Sequence, residues 1–352
     1  MKNKRIVVAA TSLSGGGAER VAVLLANFFA TRGYDVAFAA LLNDNKGYEL
    51  DKSVKYIYCG YNGGNKIRRA YLRSKIFHDE VVKFAPDCLI SFMTMENILF
   101  RGKHPFYKVY SIRNDPANEF STGLSKHLRR FVLSGADTIV FQTEDERDYF
   151  DKKIRDKGVI IGNPVSADLP NWNEIGHNRT IVAVGRLSDQ KNFELLINAF
   201  YMFSQKVEGY KLVIYGEGEL REKLSNQIEE LGLVGSVEMP GFVSDIHDRM
   251  KEAAMYVSSS NYEGISNSML EALAIGVPSI CTDCPAGGAR QSIKAGQSGF
   301  LTEVGNADML ADKMIELASD GELMLKFSRN SRKIRDELSI EKVCEKWVEL
   351  LS

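Results

Sequence analysis

The sequence predicts an α/β protein of two doubly wound, Rossmann-like domains whose sheets face each other across a cleft. Three observations predict it. Short β-like runs alternate with amphipathic helical stretches along the whole chain. Many runs are continuously apolar, which suits parallel strands covered on both faces. The rhythm stops near the middle and then restarts. A length of 352 residues fits two domains. With 44% hydrophobic and 26% charged residues, 29 Gly and only 8 Pro, the composition excludes disordered, collagen-like and disulfide-built classes. A formal net charge of −1 shows no global excess of positive charge for nucleic acid.

In chain order, strands are expected at Arg5–Ala10, Asp35–Leu41, Lys55–Tyr58, Cys88–Phe92, Lys108–Ile112 and Thr138–Gln142. The periodicity then weakens through Ile161–Val165 and Leu169–Asn173. It restarts at Thr180–Val184 and continues at Lys211–Tyr215, Val237–Met239, Met255–Ser258, Pro278–Thr282 and Gly299–Leu301. Helical patterns between them include Arg20–Arg32, Glu194–Val207 and Leu220–Leu231. This βαβ rhythm argues for parallel sheets with ligands beyond the carboxyl ends of the strands. The expected domains are residues 1–162 and 163–338. A last segment, 339–352, carries a helix with Val343, Trp347, Leu350 and Leu351 on one face. That helix is expected to pack back across the domain junction.

The first apolar run ends at Thr11-Ser12, too short for a signal peptide, and no run of about 18 apolar residues predicts a spanning helix. The five cysteines, 59, 88, 281, 284 and 344, are expected as free thiols. Cys281 and Cys284 form one C-x-x-C. A zinc site needs a second pair or two histidines, and none lies near, so they read as two unrelated positions.

Three motifs carry chemistry. Ser14-Gly15-Gly16-Gly17-Ala18-Glu19-Arg20 follows the first strand and opens a helix. Its glycines let backbone N–H groups approach an anion, or serve only a tight βα turn. It fails the dinucleotide fingerprint, because the third glycine falls at Arg20 and Asp35 begins its strand rather than following it. A nicotinamide dehydrogenase is therefore disfavoured. The second motif, Gly185-Arg186 with Lys191, places two cations before a helix. They suit a diphosphate, whose charge grows as its bond to a sugar breaks, or are solvated loop charges. In the third, Ser258–Ala274, a strand ends, a loop with Gly264 follows, and Ser266 or Asn267 caps a helix. The amides of Gly264, Ile265, Ser266 and Asn267 would face a docked anion. Glu263 in the loop suits sugar hydroxyls and Glu271 on the helix suits a ribose. Otherwise Glu271 completes a capping box with Ser268, and Glu263 is exposed.

Taken together, the Glu-x7-Glu spacing, Gly185-Arg186…Lys191, the Gly15–Gly17 loop, Gly216-Glu217-Gly218, Gly241–Asp245 and Ala274–Pro278 resemble the family-four retaining glycosyltransferases of the GT-B fold. The resemblance covers essentially the whole chain, is densest from 181 to 301, and points to the bacterial surface-polysaccharide branch. It implies that Arg186 and Lys191 bind the donor diphosphate, Glu263 contacts the donor sugar and Glu271 holds the nucleotide ribose. Gly16 and Gly17 would close over phosphates and sugar, Val243 would cradle the nucleobase, and Gly185, Gly216 and Gly218 would line the donor side. Two departures stand out. Arg113, followed by Asn114, sits where many members carry a histidine, and so becomes a candidate contact to donor or acceptor. Arg290 replaces or displaces an acid that often follows Gly-Gly.

The implied reaction is transfer of a hexose or N-acetylhexosamine, with retention, from a nucleotide sugar, a UDP-sugar by family habit. The acceptor would be a glycan, linked to polyprenyl diphosphate, in capsule, exopolysaccharide or O-antigen synthesis. No Asp-x-Asp pattern is present, so no metal and no cofactor are expected; the two cations take that place. Two basic segments, Lys66–Lys75 and Lys126–Leu133, interleave with Ile67, Tyr71, Leu72, Phe131 and Leu133. They suit an anionic membrane surface, or are ordinary helix faces. A cytoplasmic enzyme, peripheral on the inner face of the cell membrane, would follow. Alternatives are a nucleotide-sugar epimerase of the same fold and a non-catalytic GT-B partner subunit; the latter class tends to lose the cations or glutamates present here.

Overall fold

The computed structural model describes residues 4–42, 44, 47–120 and 122–351. The chain forms two units. One comprises Met1–Pro164 with Ile340–Ser352, the other Val165–Ser339.

The first unit holds seven strands: β1 (Arg5–Ala10), β2 (Asp35–Ala40), β3 (Lys55–Tyr58), β4 (Cys88–Ser91), β5 (Tyr107–Ser111), β6 (Thr138–Phe141) and β7 (Gly158–Ile160). Their order is β3-β2-β1-β4-β5-β6-β7, and every pairing is parallel. Strands β1, β4 and β6 are buried almost throughout, which accounts for their continuously apolar sequences. Strand β7 was not expected. It is a three-residue edge strand, half-buried and begun by a glycine, so neither length nor alternation marks it.

The Ile340–Glu349 helix completes this unit. Val343, Cys344 and Trp347 are buried, Leu351 just beyond is buried too, and Leu350 is half-buried. Trp347, 1% exposed, stacks on Phe92 at 5.7 Å. Arg32 pairs with Glu341 and Glu345 on the outer face, and Lys4 Nζ donates to the Leu351 carbonyl.

The second unit holds β8 (Thr180–Val184), β9 (Lys211–Tyr215), β10 (Val237–Gly241), β11 (Met255–Ser258), β12 (Ser279–Thr282) and β13 (Phe300–Thr302). They run parallel in the order β10-β9-β8-β11-β12-β13. Its core joins both faces of the sheet to the Phe193–Ser204, Asn267–Ile275 and Ala307–Ser319 helices. Cys281 lies inside β12 and Cys284 two residues beyond. Both are buried free thiols, as are the other three cysteines. The chain enters this unit at Val165 and leaves at Ser339, and those two residues form a parallel bridge. Val165 N donates to the Leu338 carbonyl at 2.7 Å beside it.

Each sheet reverses its winding once, between β1 and β4 and between β8 and β11. Ligands of doubly wound sheets bind beyond the carboxyl ends of the strands at such a reversal. Because Trp347 fills the first unit's core from the far end of the chain, Trp347→Ala should destabilise that unit by about 3–5 kcal/mol. Chemical denaturation followed by circular dichroism reads this; a loss below about 1 kcal/mol would mean that the helix is not part of the core.

Candidate functional site

In the second unit the motif residues gather at the winding reversal. Gly185–Lys191 leaves β8 and Ser259–Ser266 leaves β11. Backbone bonds tie the β8 loop to its neighbour on one side: Gly185 N to Tyr215 O at 2.9 Å, Leu187 N to Glu217 O at 3.0 Å. Gly216, at φ +142°, must be glycine, because a Cβ there would fall on the Gly185 carbonyl; at Gly218 it would fall on the Leu187 carbonyl. These two glycines hold adjacent loops at backbone contact, so their requirement is structural whatever else they line.

On the other side the β8 and β11 loops are stitched by side chains. Asn261 N donates to Gln190 O, Asn192 Nδ2 to Asn261 Oδ1 at 2.8 Å, and Ser259 Oγ to Lys191 O at 2.9 Å. Asn192 adopts a left-handed φ of +47° and caps the Phe193–Ser204 helix. That turn brings the Lys191 stem back across Gly185 and its ammonium onto Glu263 Oε1, an ion pair with both side chains about one-sixth exposed. Ser260 Oγ donates to the same carboxylate oxygen at 3.4 Å. Glu263 is thus enclosed rather than exposed. Arg186 stands out in solvent one residue past Gly185.

Ser266 is the cap of the Asn267–Ile275 helix, its Oγ accepting from Met269 N. A capping-box acid would fall at position 269, so Glu271 is not one. It lies in the helix's second turn, 8% exposed. His247, which no motif singled out, places Nε2 3.2 Å from Glu271 Oε2. A half-buried histidine in a short helix leaves no sequence signal of its own. Val243 packs on the core while Phe242 is largely exposed. Gly264 is buried, and Gly288 must be glycine because a Cβ would meet the Gly264 carbonyl. Arg290 pairs with Asp283 at 2.7 Å.

In the first unit, Gly16 caps the Gly17–Thr31 helix without a side chain. Thr11 Oγ1 donates to Glu19, whose carboxylate folds over Gly16. Arg113 lies beyond β5. Its Nη1 donates to Asn163 Oδ1 at 2.9 Å, and its guanidinium sits over the rings of Phe92 and Trp347. Asp115 caps the Pro116–Glu119 helix, and Asn114 Oδ1 accepts from Asp115 N. Nε and Nη2 of Arg113 and Oε1 of Glu146 are buried without hydrogen-bond partners. Burial lowers Arg113 to about 10 and raises Glu146 to about 8, each opposed by the other's charge. On the basic segments Ile67, Tyr71, Leu128 and Phe131 are exposed, whereas Leu133 is core and unavailable to any surface.

Against this geometry, the glycosyl transferases group 1 family model matches residues 167–334. An uncharacterized glycosyltransferase of Haemophilus influenzae is 28% identical over 96% of this chain and 97% of its own length. A Campylobacter jejuni protein, N-acetylgalactosamine-N,N'-diacetylbacillosaminyl-diphospho-undecaprenol 4-alpha-N-acetylgalactosaminyltransferase, is 28% identical over 92% of each chain. The HepE structure from Anabaena, solved with UDP and glucose, superposes with a TM-score of 0.83 over 99% of both chains at 17% identity. The fold is therefore GT-B, built from two Rossmann-like units.

The buried acid in the first unit makes a pH prediction. Glu146 keeps its proton in the folded state up to about pH 8, against about 4.5 unfolded. The native state binds the extra proton across that window, so Glu146 costs stability increasingly from pH 4.5 to 8. Glu146→Gln should therefore raise the melting temperature more at pH 8 than at pH 5. Equal shifts at both would mean that the carboxyl is ionised throughout.

Proposed function

We propose that this group 1 glycosyltransferase moves a hexose or N-acetylhexosamine from a UDP-sugar, with retention and without a metal, to a lipid-linked glycan acceptor in surface-polysaccharide synthesis. The observation that carries the reading is the Lys191–Glu263 pair at the winding reversal, with Arg186 beside it and Glu271 behind it on the following helix. A cation held by a carboxylate at a strand end is a site charged in advance for an anion. The donor diphosphate would take Lys191 from Glu263, and the released carboxylate would accept from the donor sugar's hydroxyls. Arg186 reaches the same phosphates from the solvent side. Glu271 would accept from the ribose and Val243 would support the base. The amides of Gly264, Ile265, Ser266 and Asn267 open the helix beside them, where partial positive charge favours an anion.

The anomeric C–O bond to the diphosphate breaks as the acceptor oxygen bonds to the same face. The acceptor proton passes to the departing phosphate oxygen. Lys191 and Arg186 neutralise the charge that builds there, which is the work a metal does in other transferases. The Campylobacter relative's name supports a diphospho-undecaprenol-linked acceptor and an alpha product, and the Anabaena complex supports UDP. Arg113, with two unpartnered guanidinium nitrogens, and Asn114 would meet acceptor or donor phosphate in the first unit. The exposed apolar residues beside Lys66, Arg68, Arg69, Lys126 and Arg130 suit peripheral contact with an anionic cytoplasmic leaflet.

A thermal-shift panel of UDP, GDP, ADP and several UDP-sugars tests the donor site, since a ligand of the folded state raises the melting temperature by mass action. UDP should give a shift of several degrees, retained in excess EDTA and lost in Arg186→Ala and Lys191→Ala. No shift with any nucleotide would favour a non-catalytic subunit, and a shift abolished by EDTA and restored by magnesium would overturn the metal-free reading. With an acceptor in hand, Lys191→Ala should lower turnover at least about tenfold without unfolding the protein.

A further inference from the structure

Glu271 meets a partner that no motif assigns. His247 sits in the first turn of the Ile246–Lys251 helix, four residues beyond Val243. Its Nε2 is 3.2 Å from Glu271 Oε2, with the two side chains 35% and 10% exposed. Nε2 itself is shut off from solvent, yet its N–H is not aligned for a hydrogen bond. A carboxylate offers only lone pairs, so the ring nitrogen facing it carries the proton. The pair therefore stands within reach but unclosed.

We propose that His247 is a positioning residue for nucleotide recognition. Its Nε2–H fixes one oxygen of Glu271, so that the carboxylate plane meets both hydroxyls of the ribose, and this sets how strongly the site prefers a ribonucleotide to its 2′-deoxy analogue. The inference rests on the donor-site reading above, in which Glu271 faces the ribose. A carboxylate held by a second donor loses less freedom when it accepts from a diol, and a buried oxygen left without its hydroxyl is costly. The helix that carries His247 follows directly on the segment bearing Val243, so base-side and ribose-side contacts become one mechanical unit.

Isothermal titration calorimetry with UDP and 2′-deoxy-UDP tests this on wild type, His247→Phe, His247→Gln and Glu271→Gln. Wild type should prefer UDP by at least about tenfold. His247→Phe, a ring without a donor, should cut that preference below about threefold. His247→Gln, which can place an amide N–H near the Nε2 position, should recover most of it, a rescue that a merely space-filling role would not give. If His247→Phe fails to fold, His247→Met supplies a second donor-free side chain of similar reach. If His247→Phe keeps the full preference while Glu271→Gln loses it, the inference falls and the donor-site reading stands. If Glu271→Gln also keeps it, the carboxylate is not on the ribose and both fall, as they do if wild type binds neither nucleotide.

Discussion

A parallel strand covered on both faces can show polar chemistry only at its ends. The central strands β1, β8 and β11 are apolar nearly throughout, and the Gly15–Gly17, Gly185–Lys191 and Ser259–Ser266 segments lie beyond their carboxyl ends. Winding order then selects among those ends. Where neighbouring loops leave toward opposite faces of the sheet, a crevice opens, and where they leave together they pack. Arg186, Lys191 and Glu263 lie beyond β8 and β11, at the winding reversal, where side chains and one backbone bond join the two loops. Gly216 and Gly218 belong to the packed pair after β8 and β9, where there is no room even for a methyl group.

The two buried charge clusters follow different rules. Lys191 and Glu263 touch, and Ser260 supports the carboxylate, so each charge is compensated. Arg113 and Glu146 are buried with nitrogens and an oxygen unpaired, and the aromatic faces of Phe92 and Trp347 carry part of the guanidinium's stabilisation. Such a half-satisfied arrangement is expensive.

Most of the fold was legible because continuous apolar runs and helical periods are direct consequences of two-sided burial. Twelve expected strands correspond to strands β1–β6 and β8–β13, with ends displaced by one or two residues. Strand β7 was not legible, being short and at an edge. The cap at Ser266 was legible because its spacing is fixed by loop and helix geometry, and that cap is what turns Glu271 inward. The contacts of the donor motif were not. Nothing in Gly185–Lys191 shows that the lysine folds back across its own glycine onto Glu263, which depends on the left-handed turn at Asn192. His247 was silent because its position is set by packing between two helices rather than by period.

The closing helix has a consequence for biosynthesis. The first unit begins at the N-terminus but is finished by Ile340–Glu349, whose Trp347 lies against Phe92. A ribosome delivers that helix only after the whole second unit, a wait on the order of ten to thirty seconds at ordinary elongation rates. Through that interval the first sheet has its strands but lacks the indole that covers Phe92 and Arg113. The unit made first is thus the last to be sealed, and a nascent chain of this protein exposes its unfinished apolar surface on the amino-terminal side.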